Sequence, residues 1–595
     1  MVKRREVLEK DCWKLEDMLE NDQAWEELYQ KEKEEICRYA QFKGHMGESA
    51  DQLYAALKFD DECSQRLEVL YVYARMRMDQ DTGEARYQEM FARAQSLSSA
   101  AAEQTSYMAP EILAIPEERL QEFMRSDNGI RHFSRAIEQL LAKKPHTLNR
   151  EMEELLAQSQ EATQGAAQIF TMFNNADISF PTITGSDGES IAITHGNYIS
   201  LLESEDRRVR KDAFTGLYGV YKQFSNTLAA TYAAEVKQAI YYAKARHYTS
   251  SRAHSLAENE VPEIVYDQLL ESVRENLFLL HRYVQVRKKA LGLEELHMYD
   301  LYTPMVAGVR KKYSFEEAKA IVLEGLKPLG EEYQERLKEG FSQRWIDVYE
   351  NEGKRSGAYS WGAYGTHPYV LLNYQGTLDH VFTLAHEMGH AMHTYYSDKY
   401  QPYTYAGYKI FVAEVASTCN EALLIRHLME KTSDVQEKKY LVNHFLESFR
   451  GTLFRQTMFA EFEYQVHQKA ERGEALTANA LCAMYRKLNE EYFGSALVAD
   501  EEISYEWERI PHFYTPFYVY QYATGFSAAI AISGRILNGE EGALEGYRQF
   551  LRGGCTMPPV ELLKLAGVDM STAQPVKAAL EVFGRLLDEF EAMGK

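Results

Sequence analysis

The sequence predicts a mostly α-helical protein, and three observations carry that reading. Apolar residues recur three or four positions apart through most of the 595-residue chain, only 14 prolines interrupt it, and period-two alternation is confined to short stretches. From Arg5 to about Asn175 the helical period is clearest in Leu53–Met78 and Met152–Met172. Ile178–Thr184 and Ser190–Thr194 then alternate in period two around Gly185-Ser-Asp-Gly188, which reads as a β-hairpin. This hairpin sets the expected boundary between a helical N-terminal region, 1–195, and a second region, 196–595. Helical periodicity resumes near Leu201 and continues through Asp212–Ala245 and Val261–Leu291 to a loop around His297–Pro304. A second interruption, Gly357–Gly365 followed by His367–Tyr374, has the composition of one or two short strands. No Ser/Gly/Pro-rich stretch divides the chain, so one large continuous architecture is expected.

Composition excludes several classes of function. A formal charge of -23 disfavours nonspecific attachment to nucleic acid or anionic membrane, and the one short basic run, Arg310-Lys311-Lys312, is too small to reverse that. No segment has the length and apolarity of a membrane span. The six cysteines form no C-x-x-C pair and no dense framework, and the first residues are charged and not apolar, so a cytoplasmic protein is expected.

Thr377 is a suitable N-cap for a helix through Leu378–His393. On it, Val381, Leu384, Ala385, Met388 and Ala391 or Met392 form an apolar stripe. Asp379, Thr383, His386, His390 and His393 share the opposite side. His386 and His390, one turn apart, are placed to bind one ion, and the pattern His386-Glu387-Met388-Gly389-His390 puts a carboxylate between them. Zinc suits two neutral imidazoles and one carboxylate with a position left for water, and Glu387 is placed to take that water's proton. No third histidine follows at the x-x-Gly-x-x-His spacing, so a carboxylate is the expected third ligand. The nearly all-apolar helix Ile410–Ile425 supplies two, Glu414 and Glu421, seven apart and therefore on one face; spacing alone leaves both open. Asp379, one helical repeat before His386, is a candidate to orient that imidazole from outside the ligand set.

These residues resemble the thimet oligopeptidase-type zinc metallopeptidases, and more closely the bacterial oligoendopeptidase F branch. The likeness is carried by His386–His393, Phe411-Val-Ala-Glu-Val-Ala-Ser-Thr418, Pro368–Tyr374 and Pro516–Phe526, with weaker similarity back to about residue 110. It implies one Zn2+ per chain held by His386, His390 and Glu414, with Glu387 as general base, and leaves Glu421 as a candidate outside the ligand set. It also implies a mostly α fold of the zincin-like, neurolysin/thimet type. That fold is a large helical ellipsoidal body with a deep substrate channel and a small β-sheet next to the zinc helix, 196–595 being the catalytic domain.

Gly357–Gly365 lacks the G-K-[ST] that a phosphate loop needs. Glycine beside an extended edge instead lets a peptide backbone approach and pair as an added strand. The expected substrate wall is Gly357, Ala358, Tyr359, Gly362 and Tyr369. Downstream, Pro511–Tyr522 holds one histidine and four tyrosines, and Tyr518 and Tyr522, four apart, are expected to share a helix face. The resemblance implies that a histidine and tyrosines in this region hydrogen-bond substrate and the developing oxyanion: His512 and Tyr522 first, then Tyr518 and Tyr514. Phe513–Phe517 stands where the thimet branch has glycines.

The expected function is therefore zinc-dependent hydrolysis of internal bonds in short flexible oligopeptides, with no nucleic-acid or membrane partner. Two alternatives are a zinc peptidase releasing short C-terminal units and a non-catalytic peptide-binding helical protein; an intact Glu387 argues against the second.

Overall fold

The computed structural model describes residues 2–126, 129–306 and 311–594, so Arg310 of the basic run lies outside it. Helices dominate, as the periodicity predicts. The elements that matter below are α1 (Ala50–Gln80), β1 (Thr182–Thr184), β2 (Ser190–Ala192), α2 (Arg207–Ala245), β3 (Ile346–Asp347), β4 (Tyr359–Trp361), β5 (Tyr369–Leu371), α3 (Leu378–Tyr400), α4 (Ile410–Lys431), α5 (Arg455–Glu471) and α6 (Tyr520–Leu537). The chain divides into two compact units, each assembled from three segments: 1–145, 311–427 and 532–567 in the first, and 146–310, 428–531 and 568–595 in the second.

In the first unit, β5 is the central strand of a three-stranded sheet. It pairs parallel with β3 (Ile346 opposite Val370) and antiparallel with β4 (Ser360 opposite Val370), which leaves β4 at an edge. One face of the sheet joins the N-terminal helical layer: Tyr369 and Leu371 are buried in one apolar cluster with Trp13, Trp25 and Leu53 of that layer. α3 also packs against β4 and β5. Thr377 caps α3 by accepting from the backbone N–H of His380, and Val381, Leu384, Ala385, Met388, Ala391 and Met392 are all fully buried, as the stripe predicts.

His393 departs from the expectation that it shares the polar side. It is 0% exposed and lies flat on Tyr408, ring centroids 3.8 Å apart, with Phe550 on another side. Helical period places His393 correctly around α3, but Tyr408, arriving from the segment after the helix, covers that position. Burial then holds the imidazole neutral, its pKa driven down to about 3.

In the second unit the hairpin forms with Ile183 opposite Ile191, and Gly188 takes the left-handed φ of 84° that its turn requires. The long helix α2 packs against α5, and Tyr232 of α2 lies among Phe462, Trp507 and Phe513. Among the described residues, no helix is long and apolar enough to cross a membrane, and the six cysteines form no disulfide.

Candidate metal centre

α3 and α4 approach unusually closely, and Gly389 is the reason. A Cβ there would lie 2.5 Å from Ser417 Cα and 2.8 Å from both Ala416 O and Ser417 N. Only glycine lets the two backbones meet at this point, although glycine costs an exposed helix interior about 1 kcal/mol relative to alanine. One turn further along α4, Asn420 donates its side-chain amide to the carbonyl of Ala385 (3.0 Å) and accepts from the Tyr333 hydroxyl (3.0 Å). Asn420 and Tyr333 are fully buried, so this bridge fixes the rotation of α4 against α3.

The consequence is a convergent donor set. His386 Nε2 and His390 Nε2 lie 3.2 Å apart, and Glu414 Oε2 lies 3.4 Å from each. A tetrahedral zinc ion with bonds of roughly 2.0–2.1 Å separates its ligand atoms by about 3.3 Å, so these three distances fit three corners of one coordination shell. The chemistry of the set fits as well: two imidazoles and one carboxylate. Among the described residues, this is the one group of three metal-ligating side chains with its ligand atoms so close together.

The surroundings hold each donor in place. Glu421 Oε1 sits 3.3 Å from Nδ1 of His386, so Glu414 and Glu421 address opposite nitrogens of one ring. That is the carboxylate–histidine arrangement which orients a metal-binding imidazole. Burial alone lowers the His386 pKa, but hydrogen bonds that the imidazole donates to the carboxylates of Glu414 and Glu421 outweigh it and the net direction is upward. For Glu414, burial is likewise overcome by the two imidazoles, and its pKa falls. Ser417 donates to Glu414 Oε2 at 3.2 Å. Asp379 lies exposed in the first turn of α3.

Glu387 lies between the two histidines in sequence and is 7% exposed. Its Oε2 is buried without a hydrogen-bond partner, and burial raises its pKa. A buried carboxylate oxygen left without a donor is costly in a purely structural role.

The expected substrate wall is divided between backbone and core. Gly357 has a φ of 85°, and a Cβ there would meet no atom within 4 Å. Gly357 and Ala358 lead into the edge strand β4, and Gly362 follows it. The side chains of the two tyrosines serve the fold: Tyr359 donates to Asp79 at 2.9 Å, and Tyr369, fully buried, donates to the carbonyl of Lys14 at 3.2 Å.

The second unit gathers His512, Tyr518 and Tyr522. The Tyr522 hydroxyl is 3.4 Å from His512 Nε2, Tyr518 stacks on His512 with centroids 5.9 Å apart, and the two tyrosines meet edge to face at 5.5 Å. They do not share a helix face, contrary to the spacing argument, because α6 starts only at Tyr520. Pro516 disfavours helix for the residue before it, and Phe517 takes a left-handed φ of 56°, held by a 2.7 Å hydrogen bond from its N–H to Glu463. Tyr514 stands apart from this group, stacked on Phe170 at 4.2 Å, and burial raises its pKa.

Sequence reasoning missed Gly389, Asn420, Tyr333 and Glu463. Only Gly389 carried a readable signal, a glycine in the interior of a helix.

Comparison with known proteins identifies the family of the chain. Residues 200–582 match the model of peptidase family M3, and residues 111–180 match that described as Oligopeptidase F. Oligopeptidase PepF of Bacillus subtilis is 49% identical over 590 residues, covering 99% of this chain and 88% of that protein. Group B oligopeptidase PepB of Streptococcus agalactiae is 42% identical over 588 residues, covering 99% of this chain and 98% of that one. A solved chain from Chlamydophila abortus superposes with a TM-score of 0.92 at 34% identity over 100% of both chains. The oligoendopeptidase-F structure from Enterococcus faecium gives a TM-score of 0.76 at 41% identity, over 96% of this chain and 99% of that one. By sequence and by fold, this chain belongs to peptidase family M3, within its oligoendopeptidase F group.

Proposed function

We propose that this chain is a zinc-dependent endopeptidase that hydrolyses internal peptide bonds of oligopeptides in the cytoplasm. The observation that carries the reading is the donor triangle of His386, His390 and Glu414 beside a buried, partnerless carboxylate oxygen of Glu387. His386, His390 and Glu414 would hold the ion, and Glu421 would orient His386. The chemistry such an ion would supply is Lewis-acid polarisation of a carbonyl and a water of pKa about 7.

The chain's own groups do the rest. Glu387 accepts the proton of the attacking water as the new C–O bond forms. It returns that proton to the amine nitrogen as the C–N bond breaks, so its Oε2 needs the freedom from fixed donors that it has. The backbone edge of β4 pairs with an extended peptide, and glycines at 357 and 362 keep side chains out of its path. Asp379 remains a candidate for orienting the imidazoles from outside the ligand set. His512 and Tyr522, whose polar atoms already face each other, hydrogen-bond the substrate carbonyl oxygen as it gains charge, with Tyr518 as the next candidate and Tyr514 last. Six cysteines without a C-x-x-C pair or a dense framework suit a reducing compartment.

Digestion of a mixed peptide library by the zinc-loaded protein, read by mass spectrometry, tests the proposal. Internal cleavage of unstructured peptides is the expected result. Trimming confined to the C-terminal residues, or no cleavage, would overturn it.

A further inference from the structure

The first unit holds a cavity of about 370 Å³ beside the ligand helix. It is open to solvent and lined by the strand-to-loop segments around Gly357 and Asn373 and by His380 and Thr383 of the first turns of α3. Thr383 precedes His386 by three residues and therefore stands on the same helix face as the ligands. Gly357 and Ala358, which also line it, are the residues that lead into the edge strand. The cavity thus adjoins both the strand edge and the histidine face of α3.

Its lining is rich in acceptors. Asn373 uses both amide hydrogens on the carbonyls of Arg355 (3.0 Å) and Gly357 (2.8 Å), which ties the two segments of the lining together. The Thr383 hydroxyl donates to the carbonyl of Asp379 at 2.9 Å, leaving its lone pairs for a ligand. His380, beside Tyr374, is held toward the neutral form chiefly by burial. Glu350 contributes an exposed carboxylate, and among the described residues no lysine or arginine lines the space. Lys312 approaches nearby, but its ammonium is engaged by the carbonyl of Gln375. The positive end of α3 favours an anion, but Thr377 caps it and Asp379 lies in its first turn.

We propose that this cavity is a specificity subsite that receives a lysine or arginine side chain of the substrate peptide, with Glu350 and the Thr383 hydroxyl as its acceptors. The inference rests on the endopeptidase reading above and adds the substrate's preferred side-chain class. A volume of 370 Å³ admits a long extended side chain. Glu350 supplies the opposite charge, and the free lone pairs of the Thr383 hydroxyl accept from a substrate N–H.

The test uses the full-length zinc enzyme and a set of peptides in which each position flanking one scissile bond is in turn Lys, Arg, Gln or Glu. At one of these positions the wild type should cleave the Lys peptide about tenfold or more faster than the Glu peptide in kcat/KM, and Glu350→Lys should bring that ratio to one or below. A wild type with no Lys or Arg preference at any position would overturn the subsite. So would a preference that Glu350→Lys leaves in place. In both cases peptides are still cut, and the endopeptidase reading survives; a chain that cuts no peptide removes both.

Discussion

Replacing Gly389 by alanine isolates what the close approach of α3 and α4 does for the metal centre. The added Cβ would sit 2.5 Å from Ser417 Cα and 2.8 Å from two further backbone atoms, against an ordinary contact of 3.4–4 Å. None of these atoms belongs to a flexible side chain, so the helices must separate by roughly 1 Å. Overpacking of this kind costs about 1–3 kcal/mol, and the better helix propensity of alanine offsets about 1 kcal/mol of it, so the fold should survive. The metal centre has less latitude. Glu414 lies one turn from Ser417 on α4, and its 3.4 Å separations from His386 and His390 would open by a comparable amount, when a coordination shell tolerates only about 0.2 Å. Zinc affinity should fall at least tenfold and kcat/KM roughly a hundredfold, with circular dichroism unchanged. Competition against a chromophoric zinc chelator and peptide turnover measure the two effects. Gly219→Ala, in α2 where a Cβ would meet nothing within 4 Å, is the control and should leave both intact. Gly389→Ala with wild-type zinc affinity and turnover would show that the donor set does not depend on this close approach.

Three further outcomes follow from the geometry. Glu421→Gln removes the charge beside His386 Nδ1 and should weaken zinc binding by about 10–100-fold in the same competition assay, a change absent if Glu421 plays no orienting part. Tyr522→Phe should lower kcat by about 10²-fold or more with KM little changed, and Tyr514→Phe, which leaves the stacking on Phe170, should not; the reverse order would reassign the oxyanion donor. Glu463 of the second unit is fully buried, and burial pushes its pKa up to about 8. The folded state therefore holds a proton that the unfolded chain releases near pH 4.5, so this group lowers stability as pH rises from about 4.5 to about 8, by about 1.4 kcal/mol for each pH unit in that window. Glu508, also raised to about 8, and Glu235, raised to about 7, act in the same direction, whereas buried His467, lowered to about 3, costs stability as pH falls below about 6.5. Urea unfolding of Glu463→Gln and wild type at pH 5 and pH 8 should show the wild type losing ground at the higher pH; a constant difference would contradict the assignment.

What the sequence made legible lies mostly within single elements. The period of α3 revealed its buried stripe, its cap and the two histidines, because all of these depend on spacing along one helix. The contact between α3 and α4 was not legible: seven-residue spacing puts Glu414 and Glu421 on one face, and only the approach at Gly389 and the Asn420–Ala385 hydrogen bond sends them to opposite nitrogens of His386. His393 has the periodicity of a polar position but is covered by Tyr408, a neighbour that no helical wheel contains. Tyr518 and Tyr522 do meet, although the route is a loop bent at Phe517 and not a shared helix face. In each case the missing information was which element packs against which.

In the proposed reaction, Glu387 moves the proton at a zinc site which His386, His390 and Glu414 build without it. Glu387→Gln keeps the shape of the side chain and removes the base. Its zinc content, by inductively coupled plasma mass spectrometry, should remain one per chain, while cleavage of an oligopeptide cut by the wild type falls by about 10³-fold or more. A Glu387→Gln protein that retains zinc and cleaves at the wild-type rate would contradict the account.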